Sequence, residues 1–478
     1  MTRKVAVQEK INLPPGASIH FVGIGGAGMS AIARLLLAWG YRVSGSDIRA
    51  SEVTRRLEAL GARISIGHSP ENVGEADLVV VSRAIPAGNP EVLSASSRGI
   101  PILHRAEVLA RILQGGFSIA VTGTHGKTTT AAMVTAVAIA SGRDPTALIG
   151  GEVPAIGGNA RVGSLETIIA EVDESDGSFL YVTPSVAVIT SLEATDHLDT
   201  YGDLQTLQDA FRRFLSTVGP SGLVVGCADS PAVRELLGEI KARTVSYALH
   251  APATYTAASV VLSGRSARFL AVREGRSLGE VILQVPGRHN VVNALAALAT
   301  SLELGSSFHQ AREGLASFSG VRRRFEIQEC GEILVVDDYA HNPTKVKAAL
   351  RTAREGWPGR RIIAVFQPHR YSRTRTTFAQ FGPVFGDADE VIITEIYPAD
   401  EPPLPGVSAR LIVDAVQAYR PVRYCPSLAE ATEEVLRLLR PGDLILTMGA
   451  GDVWKVARGV ANRLLGIGSS SVVSPMNP

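Results

Sequence analysis

Residues 121–130 read Val-Thr-Gly-Thr-His-Gly-Lys-Thr-Thr-Thr and follow the apolar run Phe117–Val121. The pattern predicts a strand, a glycine turn and a helix that starts at Lys127. Such a turn aims backbone N–H groups at a phosphate chain, and the helix N-terminus adds partial positive charge. Gly123, Thr124, His125 and Gly126 then form the cradle, with Lys127, Thr128 and Thr129 opening the helix. Lys127 can reach β- and γ-phosphates, and the Thr128 hydroxyl can bind Mg²⁺. The spacing G-x-x-G-K-T is two residues shorter than the common G-x-x-x-x-G-K-[ST], which marks a particular subfamily of P-loops. The competing reading is a purely structural strand–turn–helix. ATP and Mg²⁺ are the expected cofactors.

A second glycine turn comes earlier. Gly23-Ile24-Gly25-Gly26-Ala27-Gly28 fits G-x-G-x-x-G between a strand and a helix, and Asp47 ends the next strand about twenty residues on. Alone, this is a dinucleotide fingerprint, and a dehydrogenase would follow. The turn accepts a diphosphate and the carboxylate a ribose hydroxyl, and UDP offers both as well as NAD does. The later P-loop supplies a different chemistry, which favours UDP.

Two acidic segments follow strands expected to flank the P-loop strand: Glu171-Val-Asp-Glu-Ser-Asp176 and Asp196-His197-Leu-Asp199. Parallel pairing would bring their ends near the γ-phosphate, where oxygen ligands suit Mg²⁺. Most of Asp173, Glu174 and Asp176 are expected to be solvated loop residues, and His197 on local grounds a satisfied loop histidine. Further on, Asn290 opens a helix, where its amide either reads an adenine edge or stands in a capped helix start. Arg322-Arg323-Arg324 is either a solvated turn or the source of a phosphate clamp. Asp337-Asp338-Tyr339-Ala-His341-Asn342 and Gln367-Pro368-His369-Arg370-Tyr371-Ser372-Arg373 each end a strand, and the two arginines of the second run suit capture of a carboxylate.

The elements that must position these groups alternate strand and helix. Predicted strands are Ser18–Val22, Tyr41–Ser46, Arg63–Ile66 and Leu78–Val81, with helices Ala27–Trp39, Glu52–Leu60 and Glu91–Arg98. A helix over 104–114 leads to the P-loop strand. Strands Thr167–Glu171, Val186–Thr190 and Leu223–Gly226 follow, and residues 254–286 read as a small antiparallel patch. A third block from about Val321 has strands Ile333–Val336, Ile362–Phe366, Glu390–Thr394, Val422–Tyr424 and Asp443–Thr447. The fold class is α/β with parallel sheets, and the expected domains are 1–107, 108–320 and 321–478.

With 478 residues the chain is long enough for two to four domains. Lys and Arg number 47 against 46 Asp and Glu, so nothing in the charge balance points to nucleic acid or an anionic membrane. Cys227, Cys330 and Cys425 lack metal-type spacing and read as buried small hydrophobes in a reducing compartment. Residues 1–16 lack the apolar segment of a signal peptide, no long apolar run suits a membrane span, and 466–478 read as disordered. A cytoplasmic enzyme is expected.

In order along residues 16–465, Gly-Ile-Gly-Gly-Ala-Gly-Met, Gly-Thr-His-Gly-Lys-Thr-Thr-Thr, Asp-His-Leu-Asp, His-Asn-Val-Val-Asn and Asp-Asp-Tyr-Ala-His resemble the Mur ligases of bacterial peptidoglycan synthesis. The run Gln-Pro-His-Arg-Tyr-Ser-Arg-Thr is the most discriminating, because it falls where family members read different amino acids. The resemblance implies three domains: an N-terminal Rossmann-like one for a UDP substrate, a central P-loop ATPase one, and a C-terminal Rossmann-like one for an amino acid. It implies that ATP phosphorylates the lactyl carboxylate of UDP-N-acetylmuramate and that L-alanine attacks the acyl phosphate. Lys127 and Thr128 would hold phosphates and a first Mg²⁺, Glu171 would bind that ion, and His197 a second. Asn290 would contact adenine, Arg324 phosphate and Asp338 the ATP ribose. Gly25, Gly26, Ala27, Gly28, Ser46 and Asp47 would take UDP, with His68, Ser82 and Arg105 added to that group. Tyr339, His341, Arg370 and Arg373 would form the alanine site. Asn342 stands where this group usually carries a second histidine, and the carbamylated lysine of some members has no counterpart here. Three alternatives remain in view: a recycling ligase that adds a whole peptide to the same nucleotide, an NAD-dependent oxidoreductase, and a non-catalytic UDP-sugar sensor.

Overall fold

The structure is a computed structural model that describes residues 13–193 and 198–467. Asp196, His197 and the tail from Gly468 lie outside the described residues. The chain divides into two compact units. One runs to Val260 and takes in Arg268–Gln284 and Asn290–Ser319; the other holds Val261–Ala267, Val285–His289 and the chain from Gly320.

The first unit contains two sheets. Strands β1 (Ser18–Val22), β2 (Arg42–Asp47), β3 (Arg63–Ile66), β4 (Leu78–Val81) and β5 (Ile102–His104) pair in parallel in the order β3-β2-β1-β4-β5. The strand order reverses at β1, so the glycine turn that follows it opens at a switch point, where open α/β sheets bind ligands. Helix Ala27–Ala38 buries Met29, Ile32, Leu35 and Leu36 and is anchored by that stripe. The helix expected from about 104 begins at Arg105, after the short strand β5. The cause is a cap with an unusual residue: the Ala106 amide donates to His104 Nδ1, while Glu107 accepts from the His104 amide at 2.7 Å.

Among the described residues the central sheet has ten strands in the order β15-β14-β13-β12-β11-β10-β6-β9-β7-β8. They are β6 (Phe117–Thr122), β7 (Pro145–Val153), β8 (Gly158–Arg161), β9 (Ser164–Glu171), β10 (Val186–Ile189), β11 (Leu223–Cys227), β12 (Arg243–Ala248), β13 (Tyr255–Ser263), β14 (Ser266–Arg273) and β15 (Arg276–Leu283). As expected, β9 and β10 are the parallel neighbours of the P-loop strand β6. The three strands of the 254–286 patch continue this sheet, because β13 pairs in parallel with β12. Strands β7, β8 and β12 escape the sequence pattern: β7 opens on Pro145 and carries Gly150 and Gly151, residues that ordinarily mark turns.

In the second unit, β16 (Glu326–Cys330), β17 (Ile333–Asp338), β18 (Ile362–Phe366), β19 (Glu390–Ile393), β20 (Arg423–Tyr424) and β21 (Leu444–Met448) run in the order β16-β17-β21-β18-β19-β20. Among the described residues only the edge strand β16, unforeseen from sequence, is antiparallel to its neighbour. Alternate residues feed the two faces: Val336, Ala364 and Leu446 join one core, and Val335, Ile363 and Ile445 the other. The three cysteines are all buried and unbridged. Among the described residues no helix is long and apolar enough to cross a membrane.

Candidate active site

The P-loop joins β6 to helix Lys127–Ala140. Gly126 caps that helix in the left-handed region at φ +83°, and an added Cβ would stand 2.4 Å from Asn293 Oδ1, so only glycine fits. Loop amides are tied to the end of β10: Thr124 N donates to the Ser191 carbonyl at 2.8 Å and His125 N to Ser191 Oγ at 3.0 Å. His125 Nε2 lies 3.0 Å from Glu193 Oε2, and Thr129 is partly buried on the first helical turn. Thr128 Oγ1 donates to Glu171 Oε1 at 3.0 Å, and Glu171 Oε2 accepts from Gly150 N at 2.7 Å. A hydroxyl and a carboxylate oxygen at this spacing suit a hard cation that keeps phosphate and water oxygens as its other ligands.

Lys127 brings a correction. Glu174 is not a solvated loop residue. It is fully buried, and its Oε1 lies 2.9 Å from Lys127 Nζ, which also donates to the Gly123 carbonyl at 2.7 Å. Burial works against the ammonium, but the carboxylates of Glu174, Asp173 and Glu171 outweigh it and hold its pKa above the ordinary lysine value. Asp173 is pulled below its ordinary value despite burial, by Lys127 and by hydrogen bonds from Ser175. Asp176 is also engaged, by Arg105 Nη2 at 3.2 Å.

Asn290 and Asn293 sit together on helix Arg288–Glu303. Asn293 Nδ2 donates to Asn290 Oδ1 at 3.2 Å, and Asn293 Oδ1 accepts from Thr130 Oγ1 at 3.3 Å. Asn293 thus ties this helix to the start of the P-loop helix. It lies in the His-Asn-Val-Val-Asn run, whose i, i+3 spacing was the available signal.

At the first sheet, Gly23 and Ile24 N donate to the Ser46 carbonyl at 2.8 and 2.9 Å, and Gly25 N donates to Asp47 Oδ2 at 2.9 Å. A Cβ on Gly25 would stand 2.8 Å from that oxygen. Gly26 caps the helix that Ala27 begins, and Gly28 lies against the Arg105 guanidinium. Ser46 Oγ is 3.0 Å from His68 Nδ1. Ser82 follows β4, its carbonyl accepting from Ile85 N at 3.0 Å. The structure therefore brings Gly25–Gly28, Ser46, Asp47 and His68 to one end of the sheet.

The second unit gathers the remaining residues at the C-terminal ends of β17 and β18, with β21 between them. Tyr339 and His341 rings meet edge to face at 5.3 Å, and His341 lies 5.9 Å from His369. Arg373 Nη1 donates to His369 Nδ1 at 3.1 Å, and His369 stacks on Tyr397. Burial, with the charges of Arg373 and Arg370, brings His369 down to about 4; burial, with Lys345 and Arg373, puts His341 well below the ordinary imidazole value. Both rings are neutral near pH 7, and His341 Nδ1–H can donate to the Tyr339 carbonyl at 2.9 Å, leaving Nε2 as an acceptor. Arg370 adopts φ +68°, a conformation that costs about 1–3 kcal/mol in a non-glycine residue and is found at ligand sites. Of the three arginines, Arg322 pairs with Glu326, and Arg323 braces Asp337 and the Gly449 and Gly451 carbonyls. Arg324 lies 5.0 Å over the Tyr339 ring. Asp338 accepts from the Phe325 and Ala340 amides, each at 2.7 Å, and burial raises its carboxyl to about 6. Asn342 caps helix Pro343–Gly356 by accepting from Lys345 N.

A depressed histidine favours the folded state above the ordinary pKa of 6.5, and that stability is lost as pH falls through the folded value of about 4, because the unfolded chain binds the proton first. His369→Gln is therefore expected to flatten the acid side of the stability profile between pH 6.5 and 4.5, by on the order of 2 kcal/mol. Thermal denaturation across that range checks it; an unchanged slope would mean His369 is not held neutral.

A P-loop after a central-sheet strand flanked by parallel neighbours, a second glycine turn at the switch point of another sheet, and an arginine–imidazole cluster on a third together define a P-loop enzyme of modular α/β build. Residues 18–116 match the Mur ligase family, catalytic domain; 121–301 the Mur ligase middle domain; and 323–451 the Mur ligase, glutamate ligase domain. The UDP-N-acetylmuramate–L-alanine ligase of Geobacter sp. (strain M21) is 48% identical over 449 residues, which cover 93% of this chain and 97% of that one. The solved UDP-N-acetylmuramate-alanine ligase of Thermotoga maritima superposes with a TM-score of 0.82 at 33% identity, covering 94% of this chain and 99% of that one. The murein peptide ligase of Psychrobacter arcticus 273-4 shares the fold, with a TM-score of 0.70 at 23% identity, covering 95% of this chain and all of that one. The chain belongs to the Mur ligase family.

Proposed function

We propose that this enzyme joins L-alanine to the lactyl carboxylate of UDP-N-acetylmuramate, converting ATP to ADP and phosphate, in the cytoplasm. Residues 1–107 take the UDP substrate, 108–320 take ATP, and 321–478 take the amino acid. The observation that carries the alanine reading is the half-buried Arg373–His369–His341–Tyr339 cluster, in a chain 48% identical to an alanine ligase. The γ-phosphoryl group passes to the lactyl carboxylate, and the alanine amine then attacks the acyl carbon and expels phosphate. Lys127 and the loop amides position the phosphates and offset their charge. Thr128 and Glu171 would hold Mg²⁺, whose charge would offset the repulsion between carboxylate and polyphosphate; His197 would serve a second ion. Asn290 contacts adenine, Arg324 phosphate and Asp338 the ribose. Arg373 and Arg370 hold the alanine carboxylate, and His197 and His341 are the two candidates for the base that takes the ammonium proton.

Phosphate release with ATP, Mg²⁺ and UDP-N-acetylmuramate across a panel of amino acids tests the reading. Release should require every component and favour L-alanine; equal turnover without an amino acid, or preference for a tripeptide, would count against it. Asp47→Ala should raise the KM for the UDP substrate and leave that for ATP nearly unchanged. The reverse pattern would mean the two nucleotide sites are exchanged.

A further inference from the structure

Glu91 takes part in none of these steps, yet it is a fully buried carboxylate beside the proposed UDP turn. It is the second residue of helix Pro90–Ser97, whose N-terminus Asn89 caps by accepting from the Glu91 amide. Its Oε2 accepts from Ser46 Oγ at 2.6 Å and lies 3.4 Å from His20 Nε2 and 3.5 Å from His68 Nδ1. Its Oε1 accepts from Asn72 Nδ2 at 2.6 Å and from Ser69 N at 3.3 Å. Burial pushes the carboxyl up, but hydrogen bonds from His20, Ser46 and Asn72, with the charge of His20, hold it down to about 2. Burying a charge costs several kcal/mol, and an apolar side chain would serve packing equally well.

The direction of the hydrogen bonds shows what the charge does. Ser46 has one hydroxyl proton, and that proton goes to Glu91, which can only accept. The 3.0 Å contact between Ser46 Oγ and His68 Nδ1 then requires the histidine to donate. His68 is thereby fixed with a proton on Nδ1, and Nε2 is the nitrogen available to a ligand. The Ser46 carbonyl meanwhile holds the amides of Gly23 and Ile24. One carboxylate therefore sets the rotamer of Ser46 and the tautomer of His68, both beside the strand end that clasps the glycine turn.

We infer that Glu91 is a positioning residue for the UDP substrate, acting through Ser46 and His68. The inference rests on the UDP reading of Gly25–Gly28 and Asp47. The test is steady-state kinetics of Glu91→Gln, which keeps size and removes charge. The KM for UDP-N-acetylmuramate should rise about tenfold, as for loss of one well-placed charged hydrogen bond, with KM for ATP and L-alanine nearly unchanged. In a Ser46→Ala/His68→Ala background the same change should add less than about twofold, because the groups it acts through are gone. A purely structural role would retain its full effect there and would overturn the inference. So would an unchanged UDP-substrate KM in Glu91→Gln while Asp47→Ala raises it. If Asp47→Ala and His68→Ala both leave that KM unchanged, the UDP reading itself fails and takes the inference with it. Should Glu91→Gln not fold, Asn72→Ala removes a donor to the other oxygen and must give the same selective rise; no rise overturns the inference.

Discussion

Lys127→Ala is expected to lower turnover on the order of 10²-fold or more, because on the proposed reading it removes a charge that offsets the transferring phosphoryl group. The structure adds a second consequence. Lys127 is 13% exposed and paired with a fully buried Glu174. Removing the lysine takes away a cation 2.9 Å from that carboxylate, and breaking a buried pair from one side costs about 3–5 kcal/mol. Stability should therefore fall together with rate. Adding Glu174→Gln to Lys127→Ala removes the buried negative charge and should recover most of the lost thermal stability, but none of the rate. Denaturation and single-turnover phosphate release on the two variants separate the effects. Wild-type-like turnover in Lys127→Ala would break the P-loop assignment, and rate recovery in the double variant would mean the loss was one of folding.

Arg373→Lys should raise the KM for L-alanine strongly while KM for ATP and the UDP substrate stay nearly unchanged. Alanine offers only a carboxylate, an ammonium and a methyl group. A planar guanidinium can make two parallel hydrogen bonds to the carboxylate, and a lysine cannot. Arg373 is also aimed: its Nη1 donates to His369 Nδ1, and a neutral His369 is what allows that bond. Lysine keeps the charge and loses both the fork and the geometry. Glycine should lose only about 1–3 kcal/mol of discrimination for its missing methyl and remain a poor substrate, while larger residues are rejected by collision. Kinetics of the variant with alanine, serine and glycine check both parts. An unchanged alanine KM would sink the carboxylate assignment.

The motifs that lie in single turns were legible in the chain itself. Gly123–Thr128 and Gly23–Gly28 announce themselves because a glycine turn is a local object: glycines where a side chain would collide, followed by a helix N-terminus. The parallel placement of β9 and β10 beside β6 also followed from sequence, since βα alternation leaves few ways to build a buried sheet. What the chain alone could not tell was which polar residues would be buried against one another. Glu174 reads as one of several acids in a loop, and only the approach of Lys127 Nζ from a segment 47 residues away makes it a buried counter-ion. Glu91 reads as an ordinary acidic residue in the first turn of a helix. Its role is decided by Ser46, Asn72 and His20, donors from three other segments of the chain. His369 stands in a motif, but its neutrality and its grip on Arg373 arise from burial among rings drawn from separate strand ends. Local sequence determines backbone turns because their sterics are local; the charge state of a side chain depends on what the fold packs around it.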